Sequence, residues 1–449
     1  MKKNRNNRRK ASDEMLTIPS TDGDLDSSGR RAVGRRSFLK GLGMAGATLL
    51  PASALLVNKA RAAGDDSGGK LSRGDASILR FLAAAEIIES DLWEQYWELT
   101  SGSVRHKGDF ASKINPSTGK APVGTGGNLP YTTALQLLDS DMPQYIVDNT
   151  DDEFSHTDFL LAYLKSKGAN TSELDLLVGP HFRTLLGSAA TGSANKGRLT
   201  NLTKLTIDTS YWGRYRSDST NPDLGDTDFV EAVPSLNVGQ HTAIPRTDAD
   251  AANPDLIKAI AFTAGFHFGF IEQGGTSLYP ALAQRVSDPE VLRIVLSIGP
   301  TEAMHFQTWH DKAGNANAGN PPLTVVDPIN NNSTVTFLGL ATAPTPNDEL
   351  LQAALIMPEP CPFVNRSFPV CSIVRPTQTE GGAMGAVKAL TADGLFIGQT
   401  AEFMQLLNDL ARDADQAIPR QRFFLIMSLC QPISYMVSPS IVGLFFPCV

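Results

Sequence analysis

The chain has 449 residues, of which 41% are hydrophobic and 7% aromatic, so it can bury a large interior. Residues 1–62 hold 13 of its 39 Lys and Arg but only 5 of its 47 Asp and Glu. The remaining residues therefore carry a formal charge of −16, which argues against nucleic acid and anionic membranes as partners and is compatible with attracting cations.

The first 62 residues are predicted to be an export signal and not part of the folded domain. The adjacent arginines Arg35 and Arg36 precede a mildly apolar stretch from Gly41 to Val57, and small residues at 60–62 offer a cleavage site. This order resembles a bacterial twin-arginine signal. The resemblance implies the twin-arginine export machinery as a partner and a periplasmic or extracellular location. A membrane anchor is the alternative, but Pro51 interrupts the apolar stretch.

After a flexible lead-in over residues 63–73, a first long helix is predicted from Asp75, as its N-cap, to about Leu99. Its stripe at spacings of three and four contains Glu86 and Glu89, where a surface helix would place apolar residues. Two buried carboxylates destabilise a fold unless something compensates their charge. The Gly-, Pro- and Ser-rich segment 101–130 is predicted to be a long loop.

A second long helix is predicted from about Met142 to Lys167, with Glu153 and His156 one turn apart on its buried face. A short helix is expected over residues 171–187. The polar segment 190–253, which is punctuated by Gly, Pro, Asn and Asp, is expected to be a large insertion with little regular structure.

A third long helix is predicted to open at residues 253–255 and to reach about residue 282, with Glu272 in its buried stripe. A fourth opens at residues 288–290 and carries Glu302 and His305 on one face. Pro300 lies two residues before Glu302, so a kink or a restart of the helix is expected there.

Residues 314–449 are predicted to be a loop-rich C-terminal extension with a helix near Thr400–Ala417. Four cysteines lie in it, with three possible full pairings in an oxidising compartment, and Cys361–Cys371 with Cys430–Cys448 is the short-loop choice. The apolar tail over 423–446 contains two prolines and several polar residues. It therefore favours buried packing over a stable membrane span.

Two Glu-x-x-His pairs carry the functional hypothesis. Glu153 with His156, and Glu302 with His305, each offer two ligands from one helix face. Glu272 and one glutamate of the first helix would complete four carboxylates and two imidazoles, a set that suits two iron or manganese ions. Four carboxylates balance the charge of two divalent cations, so their burial becomes tolerable when both ions are present.

The chain also resembles the ferritin-like superfamily, specifically the ferritin-like domain shared by desiccation-related proteins and exported bacterial relatives. The resemblance rests on the strings 152–156 and 272–279, and it covers roughly residues 74–100, 142–168 and 254–313. It implies an all-α, ferritin-like four-helix bundle over 74–313, with a long crossover and insertions near 101–130 and 190–253. It also implies a metal site whose ligands, carried over residue by residue, are Glu86 (or Glu89), Glu153, His156, Glu272, Glu302 and His305.

The pair Glu86-Ile87-Ile88-Glu89 looks like the family's two glutamates three residues apart, of which the first holds the metal, and it favours Glu86. The long connections and the extension depart from ferritin and argue against a hollow storage shell, while a smaller homo-oligomer stays open. Three functions compete. The first is an oxidoreductase-type protein that binds Fe(II) and reacts with oxygen or peroxide. The second is a non-enzymatic stress-related or interaction scaffold. The third is an enzyme for an organic substrate, for which the sequence offers no pocket.

Overall fold

The computed structural model describes eight stretches of the chain, and most of their residues are helical. The stretches are 71–101, 127–205, 207–214, 242–316, 323–327, 333–337, 339–340 and 382–417. The expected export signal, the four cysteines and the apolar tail lie outside the described residues. So do most of the 101–130 loop and the middle of the 190–253 insertion. The all-α class is confirmed for the described part of the chain.

Four of the helices are long, and two short antiparallel ribbons, β1–β2 and β3–β4, accompany them. The helices are α1 Arg73–Ser101, α2 Leu129–Leu135, α3 Met142–Ser166, α4 Ser172–Val178, α5 Tyr211–Arg214, α6 Asp248–Ala252, α7 Pro254–Ala283, α8 Pro289–Trp309, α9 Ala383–Ala392 and α10 Ala401–Asp415. The strands are β1 Leu185–Leu186, β2 Gly197–Arg198, β3 Thr324–Val326 and β4 Thr334–Thr336. A π-helical turn, His310–Gly314, continues directly from α8.

The starts of the long helices follow from local capping. Asn253 accepts hydrogen bonds from two backbone amides of α7, and Asp288 does the same for α8. The prediction for α1 was wrong at its first turn, because the helix begins at Arg73 and Asp75 lies inside it. The hydroxyl of Ser72 accepts from the Asp75 amide and donates to the Asp75 carboxylate, so Ser72 takes the capping role.

Two other predictions about helices need correction, and several short helices were not predicted. Of the kink or restart expected at Pro300, the restart is absent, since α8 continues through this residue. Pro300 lies on the exposed side of the helix, where the carbonyl that it leaves without a donor can face water. The helix expected over 171–187 ends at Val178, before Gly179 and Pro180. The sequence pattern did not predict α9, nor the short helices α2, α5 and α6.

The long helices pack in pairs, α1 against α3 and α7 against α8, and α10 lies along α1 while α9 contacts α7 and α10. A buried aromatic cluster joins the pairs. Trp93 of α1 stacks on Trp309 of α8 at 5.3 Å between ring centroids, and Phe268 of α7 lies 4.7 Å from Trp309. Among the described residues, no helix is long and apolar enough to cross a membrane.

A fully buried arginine fixes the segment after α4 to the first long helix. The Arg198 guanidinium donates to Glu94 at 3.1 Å and also to Glu98, both of which are buried on α1. Lys196 adds a second cation 2.6 Å from Glu94. Basic side chains of the chain itself therefore neutralise Glu94 and Glu98 on α1. Among the described residues, Glu86 forms an ion pair with His156 but with no Lys or Arg.

Candidate metal centre

Six of the seven sequence-predicted ligands come together in the interior, where the four long helices face one another. They form two overlapping groups, and within each group the ligand atoms all lie within 4.8 Å of one another. One group is Glu86, Glu153, His156 and Glu302, and the other is Glu153, Glu272, Glu302 and His305. Glu153 and Glu302 belong to both groups, as bridging carboxylates would. The arrangement could hold two metal ions, each with one imidazole and one carboxylate of its own.

Both imidazoles turn Nδ1 toward the carboxylates. Nδ1 of His156 lies 3.2–3.3 Å from oxygens of Glu86, Glu153 and Glu302. Nδ1 of His305 lies 3.0 Å from Glu153 and 3.2 Å from Glu272. The two rings are 6.3 Å apart between centroids. Each Nδ1 therefore occupies the position from which it would bind one ion, while Nε2 faces away from the centre.

Three buried carboxylate oxygens at the centre accept no hydrogen bond: Oε2 of Glu86 and both oxygens of Glu302. Glu302 is fully buried, and its one ion-pair partner among the described residues is His156, whose Nδ1 lies 3.3 Å from Oε1. Buried carboxylate oxygens without a hydrogen bond are costly unless a cation binds them. The donor set therefore fits hard divalent cations, which would bind these oxygens directly.

Glu89, the other candidate on the first helix, belongs to neither group. It lies one turn beyond Glu86, its side chain is only partly buried, and its Oε1 is a buried oxygen without a hydrogen bond. The register of α1 therefore brings Glu86 into the first group and leaves Glu89 outside both groups.

Sequence reasoning missed Asn149, which donates hydrogen bonds to the carboxylates of Glu153 and Glu272. The amide of Asn149 donates to Glu153 at 2.8 Å and to Glu272 at 2.9 Å, and its oxygen accepts from the Trp309 indole at 2.9 Å. Asn149 precedes Glu153 by four residues, so helical spacing could have placed the two on one face. Its contacts to α7 and α8 could not be predicted from that spacing.

Three further side chains orient the ligands. Asp152 accepts from Nε2 of His305 at 3.1 Å, and the Thr301 hydroxyl lies 3.1 Å from Nε2 of His156. Tyr279 donates to Oε1 of Glu86 through a short hydrogen bond. A carboxylate or hydroxyl on the outer nitrogen fixes the imidazole tautomer that leaves Nδ1 available to a metal.

Gly275 makes room for a ligand on the neighbouring helix. A Cβ atom at Gly275 would lie 2.7 Å from Oε2 of Glu302, well inside van der Waals contact. This glycine therefore lets the carboxylate of α8 approach the backbone of α7 closely, which no larger residue would allow.

Burial and the charges of the centre shift the pKa values of several of its members. Burial alone would lower the pKa of His156, but Glu86 and Glu153 raise it to about 12. Burial raises the pKa of the Glu302 carboxyl well above its usual range, and repulsion from Glu153 and Glu86 raises it further. Without metal, the centre therefore holds protons where it would otherwise hold cations.

We expect the metal-free protein to lose stability as pH rises. Burial raises the pKa of Glu153 from 4.5 to about 7, with His305 opposing the shift and Glu272 adding to it. A folded-state pKa above the unfolded value stabilises the fold fully below about pH 4.5, and this contribution is lost as pH rises through about 7. The expected fall in unfolding free energy between about pH 5 and pH 8 is about 2–3 kcal/mol.

Urea denaturation of metal-free protein across this pH range measures the fall. The matched control is Glu153→Gln, which has no carboxyl to titrate and should show a flatter profile. Stability that rises with pH in the wild type, or identical profiles in both proteins, would contradict the expectation.

Comparisons with protein-family models, with curated proteins and with solved structures found no match for this chain.

Proposed function

We propose that the chain is an exported protein with a ferritin-like four-helix bundle that binds two iron or manganese ions. The observation that carries the proposal is the pair of ligand groups sharing Glu153 and Glu302. Carboxylate-rich sets with imidazole favour iron and manganese over metals that prefer thiolates. In this proposal, α1, α3, α7 and α8 would contribute ligands in the order that the resemblance to the superfamily implies.

The chemistry we propose is the oxidation of Fe(II) by oxygen or peroxide. Bound ions would supply the electrons, each Fe(II) giving up one. The protein's own contribution is to hold two ions side by side on shared carboxylates and to keep the imidazoles oriented through Asp152 and Thr301. Export by the twin-arginine route, which carries folded proteins, suits a metal loaded before transport.

Anaerobic titration with Fe(II) and Mn(II), followed by metal analysis, tests the proposal. The wild type should bind two ions per chain, and Glu302→Gln should lose both, because this residue belongs to both groups. A control on the same helix is Gln307→Leu, an exposed position that should bind like the wild type.

Low metal content that is the same in all three proteins would overturn the proposal. Admission of oxygen to the Fe(II)-loaded protein then separates two functions. Oxidation that is fast in the wild type and lost in Glu302→Gln supports the oxidoreductase. Two bound ions without faster oxidation support a scaffold in which the metal is structural, the second of the functions that the sequence left open.

A further inference from the structure

An apolar cavity of about 100 Å³ extends from the candidate metal centre between α1, α7 and α9. Apolar side chains such as Phe81, Leu92, Phe270 and Leu278 form much of its wall. Two carboxylates, Glu86 and Glu89, also line it, and exposed Lys388 of α9 is part of the lining. The cavity therefore leads from a ligand of the centre toward the protein surface.

Small residues create this space. Gly274 and Gly275 of α7, Ala85 of α1, and Gly385 and Ala386 of α9 all line it. Gly275 is explained by its closeness to Glu302, but a Cβ atom at Gly274 would meet nothing within 4 Å. Glycine also weakens a helix interior by about 1 kcal/mol relative to alanine. No neighbouring atom requires glycine at position 274. A requirement to keep the cavity beside it open would explain the glycine.

The size and the wall of the cavity limit what it can hold. An apolar cavity of about 150 Å³ binds benzene and stays free of water, so about 100 Å³ suits a molecule of roughly four to six non-hydrogen atoms. A peptide segment or a second protein is too large for such a volume. The apolar wall also offers few partners for ordered water.

One polar atom refines the chemistry. Glu89 lines the cavity, takes no part in the two ligand groups, and its Oε1 is buried without a hydrogen bond. A buried acceptor of this kind is normally satisfied by a donor. A small molecule with an apolar body and one hydroxyl would fill the volume and supply that donor.

We propose that this cavity binds a short-chain alcohol or a similar small apolar molecule with one hydrogen-bond donor, held beside the metal centre at Glu86 and Glu89. That the small molecule lies next to bound metal rests on the proposed function, whereas its binding to the cavity does not. The site would give the protein an organic ligand in addition to its ions.

Solution ¹²⁹Xe NMR on the metal-free full chain tests the cavity, with 1-pentanol as the competing ligand. In the wild type, xenon should bind saturably and 1-pentanol should displace it. Gly274→Leu, which fills the open volume, should weaken both by at least about tenfold, since a leucine side chain occupies most of such a space. Gln307→Leu, at an exposed position on α8, should behave like the wild type. Absence of saturable xenon binding, or equal binding to Gly274→Leu, would overturn the cavity assignment.

A second variant tests the hydroxyl. Glu89→Met removes the acceptor but keeps an apolar side chain of similar length, so it should retain xenon while binding 1-pentanol at least about fivefold more weakly. Unchanged 1-pentanol affinity in Glu89→Met would show that no hydroxyl is recognised. Metal content is measured for every variant, and Gly274→Leu should load like the wild type.

A separate measurement tests whether bound 1-pentanol lies next to the metal centre. In protein loaded with two Mn(II) ions, bound 1-pentanol should show strongly enhanced proton relaxation, because the cavity ends at a ligand of the centre. Loaded protein that binds 1-pentanol without enhanced relaxation would overturn the adjacency. If the chain binds no metal, the proposed function fails, while the xenon and 1-pentanol results still decide the cavity.

Discussion

Loading the wild-type chain with two divalent ions is expected to raise its thermal unfolding midpoint by more than about 10 °C. An ion present at about 1,000 times its dissociation constant stabilises the folded state by about 4 kcal/mol, and two ions by about 8 kcal/mol. Each kcal/mol shifts the midpoint of a domain of about 150–250 residues by about 2–4 °C. The expected cause is that the ions would bind the three oxygens of Glu86 and Glu302 that accept no hydrogen bond.

Scanning calorimetry with and without a chelator measures this shift, and Glu302→Gln is the decisive variant. It should show no metal-dependent shift. Without metal it should be more stable than the wild type at about pH 8, by on the order of 1–3 kcal/mol, because a neutral amide replaces a buried carboxyl group without donors. A metal-dependent rise in Glu302→Gln equal to that in the wild type would contradict the assignment of Glu302 as a ligand shared by both ions.

Arg198→Ala is expected to lower the unfolding free energy by about 3–5 kcal/mol, since it leaves Glu98 buried without its cation and Glu94 with Lys196 alone. Chemical denaturation measures the loss. The matched control is Arg412→Ala, whose partner Asp409 is half exposed, and its cost should stay below about 1 kcal/mol. Adding Glu98→Gln to Arg198→Ala should restore part of the stability. If Arg198→Ala lowers the unfolding free energy no more than Arg412→Ala does, the ion pairs of Arg198 with Glu94 and Glu98 do not stabilise the fold as expected.

The sequence predicted the four long helices well because their starts and their buried faces are local properties. The strings at 253–255 and 288–290 cap α7 and α8 as expected, since a side-chain acceptor before a proline leaves few other conformations. The Glu-x-x-His spacing likewise brought each carboxylate and its imidazole into one ligand group, because residues three apart share a helix face. It did not predict that the Glu302 carboxylate would lie closer to His156, on another helix.

Contacts between helices were beyond the same reasoning. Asp152 reaches His305 on another helix, and Asn149 joins three helices, although the pattern of α3 alone indicates neither contact. Periodicity also left Glu86 and Glu89 on the same stripe, and only the register of α1 against its neighbours separates them. The cavity exists because several glycines and alanines from three helices meet at one place. The sequence pattern does not show that these small residues are close together.

The sharing of Glu153 and Glu302 between the two ligand groups has a consequence for how the chain folds. Residues at the centre come from distant parts of the sequence, and the Tyr279–Glu86 contact alone spans 193 positions. Contacts of such separation form late, because long loops must close first. A nascent chain that ends before α8 would lack Glu302 and His305, so neither ligand group would be complete. Metal capture would thus report that synthesis and docking of the last long helix are finished.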